Sequence, residues 1–215
     1  MIIAIAGPAA SGKSTVARAL ADELDLTVLD TGAMYRAVTL EVQRQDADPC
    51  DAEACSAIAA GIELGFDANG RVLISGEAGE PAIRSATVTG MVSFVAAHPG
   101  VRRAIVPKQR EIAARSGVVA EGRDTTTVVF PNADHKFFLL ASAAERARRR
   151  ALEEGHPERA ALIEIDIERR DRLDSEREDS PLMQAQDAVV VSTDGITPEE
   201  VLAQLLKTVR AGQAS

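Results

Sequence analysis

Residues 7–14 read Gly7-Pro8-Ala9-Ala10-Ser11-Gly12-Lys13-Ser14, and the apolar run Ile2-Ile3-Ala4-Ile5-Ala6 precedes them. They satisfy every position of the pattern G-x-x-x-x-G-K-[ST], which requires a strand before it and a helix after it. The two glycines let successive backbone N–H groups point at one anion, and the helix N-terminus adds partial positive charge. We therefore expect a phosphate-binding loop here rather than a chance glycine-rich turn.

Two side chains of this loop have predicted chemical roles. Lys13 is expected to reach the β- and γ-phosphates of a nucleotide, and Ser14 to offer its hydroxyl to Mg²⁺. The segment that follows has helical periodicity, with apolar residues recurring on one face. The predicted nucleotide-binding segment therefore starts at Gly7 and ends at Thr15, in the first turn of that helix.

Composition limits the classes of protein to consider. The chain has 215 residues, of which 46% are hydrophobic, which is enough for a buried core. It has 24 Lys and Arg against 33 Asp and Glu, a net charge of −9, so sequence-independent binding to nucleic acid or to an anionic membrane is not expected. The apolar runs are too short to span a membrane, and Cys50 and Cys55 lack a metal-type spacing. We expect free thiols and a cytoplasmic protein.

Short apolar runs alternate with helical patterns along the chain. Buried parallel strands are expected at residues 2–6, 26–29, 118–120, 136–140 and 188–191. Two of the expected helices start with capping-box pairs, Ser142 with Glu145 and Thr197 with Glu200. The expected fold class is α/β, a doubly wound five-stranded parallel sheet of the P-loop NTPase type.

One stretch interrupts this alternation. Residues 62–66 and 71–75 are expected to pair as antiparallel strands around a turn at Asp67-Ala68-Asn69-Gly70. We expect a single domain over residues 1–215, with a core at about 1–50 and 100–215 and an insertion at about 51–100. The charged stretch 145–180 is expected to form a helical hairpin, and residues 211–215 to fray.

Basic residues follow two other predicted strands. Arg36 ends the stretch Asp30-Thr31-Gly32-Ala33-Met34-Tyr35-Arg36, in which Thr31 is expected to cap the helix. Such an arginine, taken alone, is usually solvated. Arg123 and Asp124 follow the strand at 118–120, and open α/β sheets bind ligands at the carboxyl ends of their strands. A surface ion pair is the alternative for Arg123 and Asp124.

Four motifs, in order, carry a resemblance to a known family. They are G-P-x-x-S-G-K-S-T, D-T-G-A-M-Y-R, G-R-D-x-x-T-V-V-F-P and R-D-x-x-D-x-x-R-x-x-x-P-L, the last formed by Arg170, Asp171, Asp174, Arg177, Pro181 and Leu182. Together they resemble bacterial cytidylate kinase over nearly the whole chain. The resemblance implies that the insertion binds a nucleoside monophosphate and that the stretch at about 145–180 is a helical lid.

The resemblance also implies an activity, the reversible transfer of the γ-phosphoryl group of ATP to CMP or dCMP, with Mg²⁺ held at Ser14. It gives catalytic roles to Lys13, Arg123 and Arg177, and it places Arg36, Arg123 and Arg177 at the CMP phosphate. Planar guanidinium groups bind phosphate oxygens bidentately and offset the charge that spreads in the transition state. Positioning and electrostatics suffice for such catalysis, and no covalent intermediate is needed.

Recognition of the base is implied at Ser93, Arg102 and Asp124. A carboxylate accepts from N4 of cytosine and a guanidinium donates to N3, whereas uracil reverses both hydrogen-bonding groups. An unpaired buried polar group costs about 1–3 kcal/mol, so this set favours CMP over UMP. The predicted CMP-binding residues also include the following three, of which the last two match family positions near the sugar: Thr31, Arg170 and Asp174.

The same resemblance implies arginines that close over the ATP phosphates and exclude water. Arg146 and Arg150 lie on one helical face, as i and i+4, and are the preferred candidates for ATP binding, ahead of Arg148 and Arg149.

Three residues depart from the family pattern. Thr126 stands where glycine is usual, Leu173 where a basic residue is frequent, and Pro107 is expected to kink or divide a helix at 101–115.

Other functions stay open from the sequence. A P-loop kinase for another acceptor, such as UMP, AMP or a small alcohol, fits the loop but not Arg102 and Asp124. A regulatory nucleotide switch, or a domain that binds only inorganic phosphate, fits the loop alone, although the chain has no N-K-x-D guanine-reading motif. We expect ATP and CMP or dCMP as partners, and a monomer because no heptad pattern or long apolar edge suggests a dimer.

Overall fold

The structure is a computed structural model that describes residues 1–67 and 70–213. In chain order its strands and helices are β1 (Ile2–Ala6), α1 (Lys13–Leu24), β2 (Thr27–Asp30), α2 (Thr31–Arg44), α3 (Ala52–Gly61), β3 (Leu64–Phe66), β4 (Val72–Ile74), β5 (Glu77–Ala78), α4 (Ala86–Ala97), α5 (Pro99–Arg115), β6 (Val118–Gly122), β7 (His135–Leu140), α6 (Ala143–Glu153), α7 (Ala160–Glu176), β8 (Val189–Ser192) and α8 (Pro198–Gln213). The middle of the turn predicted at 67–70 lies outside the described residues, because Ala68 and Asn69 are not among them.

All five predicted sheet strands are present, and they form one sheet in the order β2-β6-β1-β7-β8. β1 runs parallel to β6 and to β7, and β7 runs parallel to β8. Each strand is linked to the next by helical segments, as parallel pairing requires. The predicted α/β class and five-stranded parallel sheet are confirmed.

The chain divides into two compact units. The first contains residues 1–28, 116–176 and the chain from 180 onward, and the second contains residues 29–115 with the short segment 177–179. The antiparallel strands of the predicted insertion lie in the second unit. The functional division into a core, an insertion at about 51–100 and a lid at about 145–180 stays our proposal.

In the first unit, the apolar face of α1 packs into the core of the sheet. Val16 and Leu20 of α1 share one buried cluster with Ile3, Ile5 and Phe137 of the strands. Burying one such side chain fully contributes about 1.5–3 kcal/mol. Because α1 begins directly after the phosphate loop, this packing also fixes the end of the loop.

The predicted helical hairpin is confirmed in α6 and α7. The two helices pack through a small apolar cluster of Ala147, Ala151, Ile163 and Ile167. Their charged residues lie mostly on the other faces, which is why the sequence of the hairpin is so polar.

Of the two predicted capping boxes, one is complete. The N–H of Thr197 donates to the Glu200 carboxylate at 2.7 Å, and the N–H of Glu200 donates to the Thr197 hydroxyl at 3.3 Å. In the other box, Ser142 accepts from the N–H of Glu145, but Asp194 takes the N–H of Ser142 at 3.0 Å. Only half of that predicted motif therefore forms.

In its described residues, the second unit contains four α-helices, a short 3-10 helix and a small three-stranded sheet. β3 and β4 pair antiparallel with Leu64 opposite Ile74, as predicted, and β5 adds a third strand that the sequence did not indicate. α2 and α5 contribute Met34, Val38 and Ile105, which are fully buried. The positions of Arg36 and Arg102 are set by these same two helices.

Two local predictions were wrong, and so was part of a third. Asp30, not Thr31, caps α2, because its carboxylate accepts from the N–H of Ala33 at 2.9 Å. Pro107 does not divide the predicted helix, since α5 runs unbroken from Pro99 to Arg115 with this proline inside it, and the kink that was the other expectation stays a prediction. The last turn of α8 extends through Gln213, so residues 211–213 are helical, and Ala214 and Ser215 lie outside the described residues.

Within residues 1–67 and 70–213, no helix is both long and apolar enough to cross a membrane. Both cysteines are free thiols, as predicted: Cys50 is exposed and Cys55 is buried in α3.

Candidate functional site

The phosphate loop connects β1 to α1 in the first unit, and two of its positions require glycine. Gly7 has φ +152°, and a Cβ on it would lie 2.3 Å from the carbonyl oxygen of Leu139. Gly12 has φ +88°, in the left-handed region that residues with a side chain rarely adopt. The structure thus explains why both glycines of the motif are needed.

Lys13 is buried in the loop. Its ammonium donates to the carbonyl oxygen of Pro8 at 2.6 Å and to the hydroxyl of Ser11 at 3.4 Å. Burial, followed by repulsion from Arg123, lowers the pKa of Lys13 to about 7, although nearby carboxylates partly oppose this shift. An anion bound by the loop would supply the negative charge that the ammonium lacks.

Ser14 lies in the first turn of α1, beside a carboxylate that was not predicted from the sequence. Its hydroxyl donates to Oε1 of Glu121, a buried residue of β6 that is paired in register with Ile5. The signal was available, because Glu121 is a carboxylate near the carboxyl end of a buried strand. A hydroxyl and a carboxylate are hard oxygen donors of the kind that Mg²⁺ takes while keeping most of its water.

In the described part of the chain, no three His, Cys, Asp or Glu residues are grouped so that they could hold a metal ion by themselves. Ser14 and Glu121 therefore fit a Mg²⁺ ion that the phosphates of a nucleotide also bind, rather than a cation site made of protein alone.

Two predicted arginines lie in the first unit, and one of them, Arg123, acts electrostatically on both the loop lysine and Arg170. Arg123 donates through Nε to Oδ2 of Asp174 at 2.8 Å, and this aspartate is buried. Arg170 is mostly buried, and its Nε has no hydrogen-bond partner within the described residues. Burial, followed by the positive charge of Arg123, lowers the pKa of Arg170. Lys13, Arg123 and Arg170 thus form a cationic cluster in which two members are held below their usual pKa values.

The hairpin arginines have different partners from one another. Arg146 is buried, donates to the carbonyl oxygen of Ala9 at 3.2 Å and pairs with Asp171. Arg150, which the sequence analysis ranked beside it, is half exposed and pairs with Glu154 at 2.7 Å. Of these two predicted ATP-binding arginines, only Arg146 has a described hydrogen bond to the loop.

Arg149, which was ranked lower, also lies close to the loop. Its guanidinium donates to the hydroxyl of Thr193 at 2.9 Å and to its carbonyl oxygen, and that hydroxyl donates to the carbonyl oxygen of Ser11 at 3.3 Å. A Cβ on Gly12 would lie 4.0 Å from Nη1 of Arg149. Helical spacing alone did not reveal this, because Thr193 follows β8, far along the chain.

Asp124 is buried at the start of one turn of π-helix, Thr125–Val129. The N–H groups of Val129 and Phe130 each donate to the carbonyl oxygen five residues earlier, at 3.1 and 2.9 Å. Such turns are frequent at functional sites. Thr126, at the usual glycine position of the resembled family, is buried in this turn and does not have a positive φ. Glycine's special conformational freedom is therefore not needed there.

The second unit holds the other predicted acceptor residues. Arg36 donates to the hydroxyl of Thr89 at 2.8 Å, and the buried Ser93 lies one turn further along α4. The buried Arg102 lies over the Tyr35 ring, 5.1 Å from its centre, and donates to the carbonyl oxygen of Ala96 at 3.1 Å. The second unit therefore places Arg102 against Tyr35, which directly precedes Arg36 in the chain. Pro107, which lies further along α5, does not prevent this contact.

Two further predicted acceptor residues lie in the second unit. Thr31 is buried in the first turn of α2, and Arg177 is half-buried in the segment 177–179.

The β1–loop–α1 unit on a parallel sheet, with a buried lysine and serine at the loop, defines an α/β protein of the P-loop nucleotide-binding class. The sequence profile of the family described as cytidylate kinase matches residues 3–211. The chain belongs to the cytidylate kinase family.

Relatives of known name agree with this assignment. The chain is 50% identical over 218 residues to a bifunctional pantoate ligase/cytidylate kinase of Parasynechococcus marenigrum, with 98% of this chain and 44% of the relative covered. It is 51% identical over 210 residues to the protein of the same name from Synechococcus sp. strain WH7803, with 94% of this chain and 43% of the relative covered. The chain thus spans less than half the length of these relatives.

Two crystal structures share the fold. One is an uncharacterized protein from Eubacterium ventriosum, with a TM-score of 0.58, 14% identity and 98% of both chains covered. The other is a protein from Thermus thermophilus, with a TM-score of 0.50, 22% identity, and 98% of this chain and 96% of the other covered. At these identities the likeness concerns the fold alone.

Proposed function

We propose that this chain transfers the γ-phosphoryl group of ATP to CMP or dCMP, giving ADP and CDP or dCDP. The observation that carries the proposal is the cationic cluster of Lys13, Arg123 and Arg170 beside the phosphate loop. Burial and the positive charge of Arg123 lower the pKa of both Lys13 and Arg170, although nearby carboxylates partly oppose these shifts. The phosphates of a nucleotide would favour the charged forms further, and a neutral ligand would not.

The donor nucleotide is assigned to the first unit. In this proposal the loop amides and Lys13 bind the β- and γ-phosphates of ATP, and Arg123 offsets the charge that spreads over the transferring group. Ser14 and Glu121 would hold Mg²⁺, which neutralises phosphate charge when it is bound. Relatives of about 50% identity named bifunctional pantoate ligase/cytidylate kinase support a kinase that acts on cytidylate.

The acceptor residues are assigned one by one from the family motifs. Arg36 and Arg177 would bind the CMP phosphate, for which a guanidinium is suited because it binds phosphate oxygens bidentately. The buried Ser93 and Arg102 would recognise the base, Arg102 by donating to N3 of cytosine. The described contacts place Arg36 beside the Thr89 hydroxyl of α4 and Arg102 beside the Ala96 carbonyl oxygen that follows Ser93 in the same helix.

Asp124 would accept a hydrogen bond from N4 of cytosine. Its burial makes this contact selective, because the carboxylate and the O4 oxygen of uracil are both acceptors and cannot hydrogen-bond to each other. Arg170 and Asp174, near the sugar in this assignment, would contact the ribose or deoxyribose. The monomeric state and the cytoplasmic location expected from the sequence stay predictions.

A coupled assay of ADP formation tests the function. With ATP and Mg²⁺, we expect strong activity with CMP, activity with dCMP, and weak or no activity with UMP and AMP. Equal use of UMP and CMP would show that the assignment of the base pocket is wrong. Absence of turnover with all four acceptors, together with no binding of ATP by calorimetry, would reject a kinase and favour a domain that binds phosphate alone.

Asp124→Asn tests base recognition separately. The amide no longer requires a donor from the base, so we expect discrimination against UMP to fall by about tenfold, as loss of one buried hydrogen bond of 1–3 kcal/mol implies. Asp22→Asn, on the exposed face of α1, makes the same chemical change as a control and should leave selectivity unchanged. An unaltered ratio of CMP to UMP turnover in Asp124→Asn would place base recognition elsewhere.

A further inference from the structure

An ion pair holds both backbone polar groups of Ala9 at the crest of the phosphate loop. The N–H of Ala9 donates to Oδ1 of Asp171 at 3.3 Å, and Nη1 of Arg146 donates to the carbonyl oxygen of Ala9 at 3.2 Å. Arg146 also donates to Oδ2 of Asp171, and through Nε to the carbonyl oxygen of Ala141 at 2.9 Å. We call Asp171 and Arg146 the crest clamp, since they close a ring of hydrogen bonds around one peptide residue.

The next residue, Ala10, has a strained backbone. Its φ is +57°, in the left-handed region, which costs a residue with a Cβ about 1–2 kcal/mol. Such conformations persist only where the surrounding structure over-determines them. Ala10 is directly bonded to the clamped residue, and it packs against the apolar cluster of α6 and α7. The hydrogen bonds to Ala9 and the packing of Ala10 are therefore in the right place to hold Ala10 in this conformation.

We propose that Asp171 is a positioning residue of the reaction. With Arg146 it clamps Ala9, and the clamp holds Ala10 in the left-handed conformation that presents the loop amides to the phosphates of the donor nucleotide. This rests on the proposed function, in which ATP is the ligand of the loop. Asp171 acts through the loop backbone and does not itself bind the nucleotide. The role of Arg146 changes accordingly, from a direct contact with ATP to a contact with the loop that binds ATP.

This proposal differs from two simpler roles for Asp171. An ion pair that only stabilises the fold would alter the melting temperature and leave ATP affinity unchanged. A carboxylate that only repels the phosphates would weaken ATP binding, so that its removal would tighten it. The crest clamp predicts the opposite sign, because its loss lets the loop leave the conformation that binds phosphate.

The test combines two substitutions. Asp171→Ala removes the clamp, and Ala10→Gly removes the strain that the clamp opposes, because glycine adopts the left-handed region readily. The dissociation constant of ATP is measured by calorimetry, without acceptor, for the wild type, both single variants and the double variant. Asp166→Ala is the matched control, since Asp166 lies on the same helix with its side chain 73% exposed and 3.8 Å from Arg169.

We expect Asp171→Ala to weaken ATP binding about tenfold, as release of one strained conformation implies. Asp166→Ala should stay within about twofold of the wild type, and the double variant should bind ATP within about threefold of the Ala10→Gly single variant. The same pattern is expected in the KM for ATP, with a smaller change in kcat.

Three results would overturn the proposal. The first is ATP binding by Asp171→Ala that is unchanged or tighter, and the second is weakened ATP binding by Asp171→Ala that Ala10→Gly does not restore. If Asp171→Ala does not fold, Asp171→Asn replaces it, because the amide keeps an oxygen for the N–H of Ala9 and removes the charge that pairs with Arg146. The third result is weakened ATP binding by Asp171→Asn that Ala10→Gly does not restore. A wild-type protein that binds no ATP would instead refute the proposed function, and that outcome is recognised before any variant is measured.

Discussion

Lys13 should take up a proton when the loop binds ATP. In the free protein, burial and the repulsion from Arg123 lower the pKa of Lys13 to about 7, against 10.5 for an unperturbed lysine. The ammonium is therefore partly deprotonated near neutral pH. Bound phosphates favour the charged form and raise its pKa again, so that binding and protonation are coupled.

The size of the effect follows from the free-protein pKa. With a pKa of about 7, about 0.1 of the Lys13 side chains are neutral at pH 6, about 0.5 at pH 7 and about 0.9 at pH 8. If bound ATP returns the pKa to its ordinary range, the uptake assigned to Lys13 equals these fractions. The uptake should rise with pH, which is the opposite of the trend for a group whose pKa falls on binding.

Calorimetry in pairs of buffers with different enthalpies of ionisation measures this uptake directly. ATP is titrated without acceptor at pH 6, 7 and 8, into the wild type and into Lys13→Met. Subtracting the variant removes the protons that belong to ATP and to other side chains. A difference between the two proteins that does not change with pH would refute the argument that buried Lys13 is discharged in the free protein.

Two other predictions concern stability and are measured as shifts in the urea unfolding midpoint. Gly7→Ala should destabilise the fold by about 3 kcal/mol or more, because its Cβ would lie 2.3 Å from the Leu139 carbonyl oxygen. Gly90→Ala is the matched control: it lies in an open part of α4 and should stabilise the fold by about 0.5–1 kcal/mol. Equal effects of the two substitutions would contradict the packing argument. Pro107→Ala should stabilise the protein by about 1–3 kcal/mol, because α5 continues through this exposed proline, which has no backbone N–H to donate within the helix. A loss of stability in Pro107→Ala would contradict this and would mean that Pro107 stabilises the protein by restricting the unfolded chain or by packing.

The sequence predicted those parts of the fold that depend on neighbours along the chain. The loop glycines, the apolar strand runs and the capping box of Thr197 and Glu200 were read correctly because each rule involves residues within a few positions of one another. The half-formed capping box at Ser142 shows that such local rules fail when a residue distant in sequence competes for the same hydrogen bond. Asp194, 52 residues away, takes the N–H that the local motif assigns to Glu145.

The candidate site divides in the same way. The phosphate loop was found from one stretch of eight residues, and the acceptor arginines from motifs that resemble a family. Glu121 and Thr193 were not singled out, although their hydrogen bonds join Ser14 and Ser11 of the loop, and Arg149, which donates to Thr193, was ranked below Arg146 and Arg150. Their partners lie on strands and helices that are distant in sequence, so no spacing rule connects them.

By itself, the sequence determined that a nucleotide-binding loop lies on a parallel α/β sheet, because hydrophobic periodicity and glycine placement are local properties of the chain. Only the tertiary structure decided the state of the groups in that loop. The pKa of Lys13 is lowered because folding buries the side chain and brings Arg123 close to it, and Ala9 is clamped because folding brings Arg146 and Asp171 to it from two later helices. Desolvation and long-range hydrogen bonding depend on the whole fold, and for that reason they cannot be read from residues 7–14 alone.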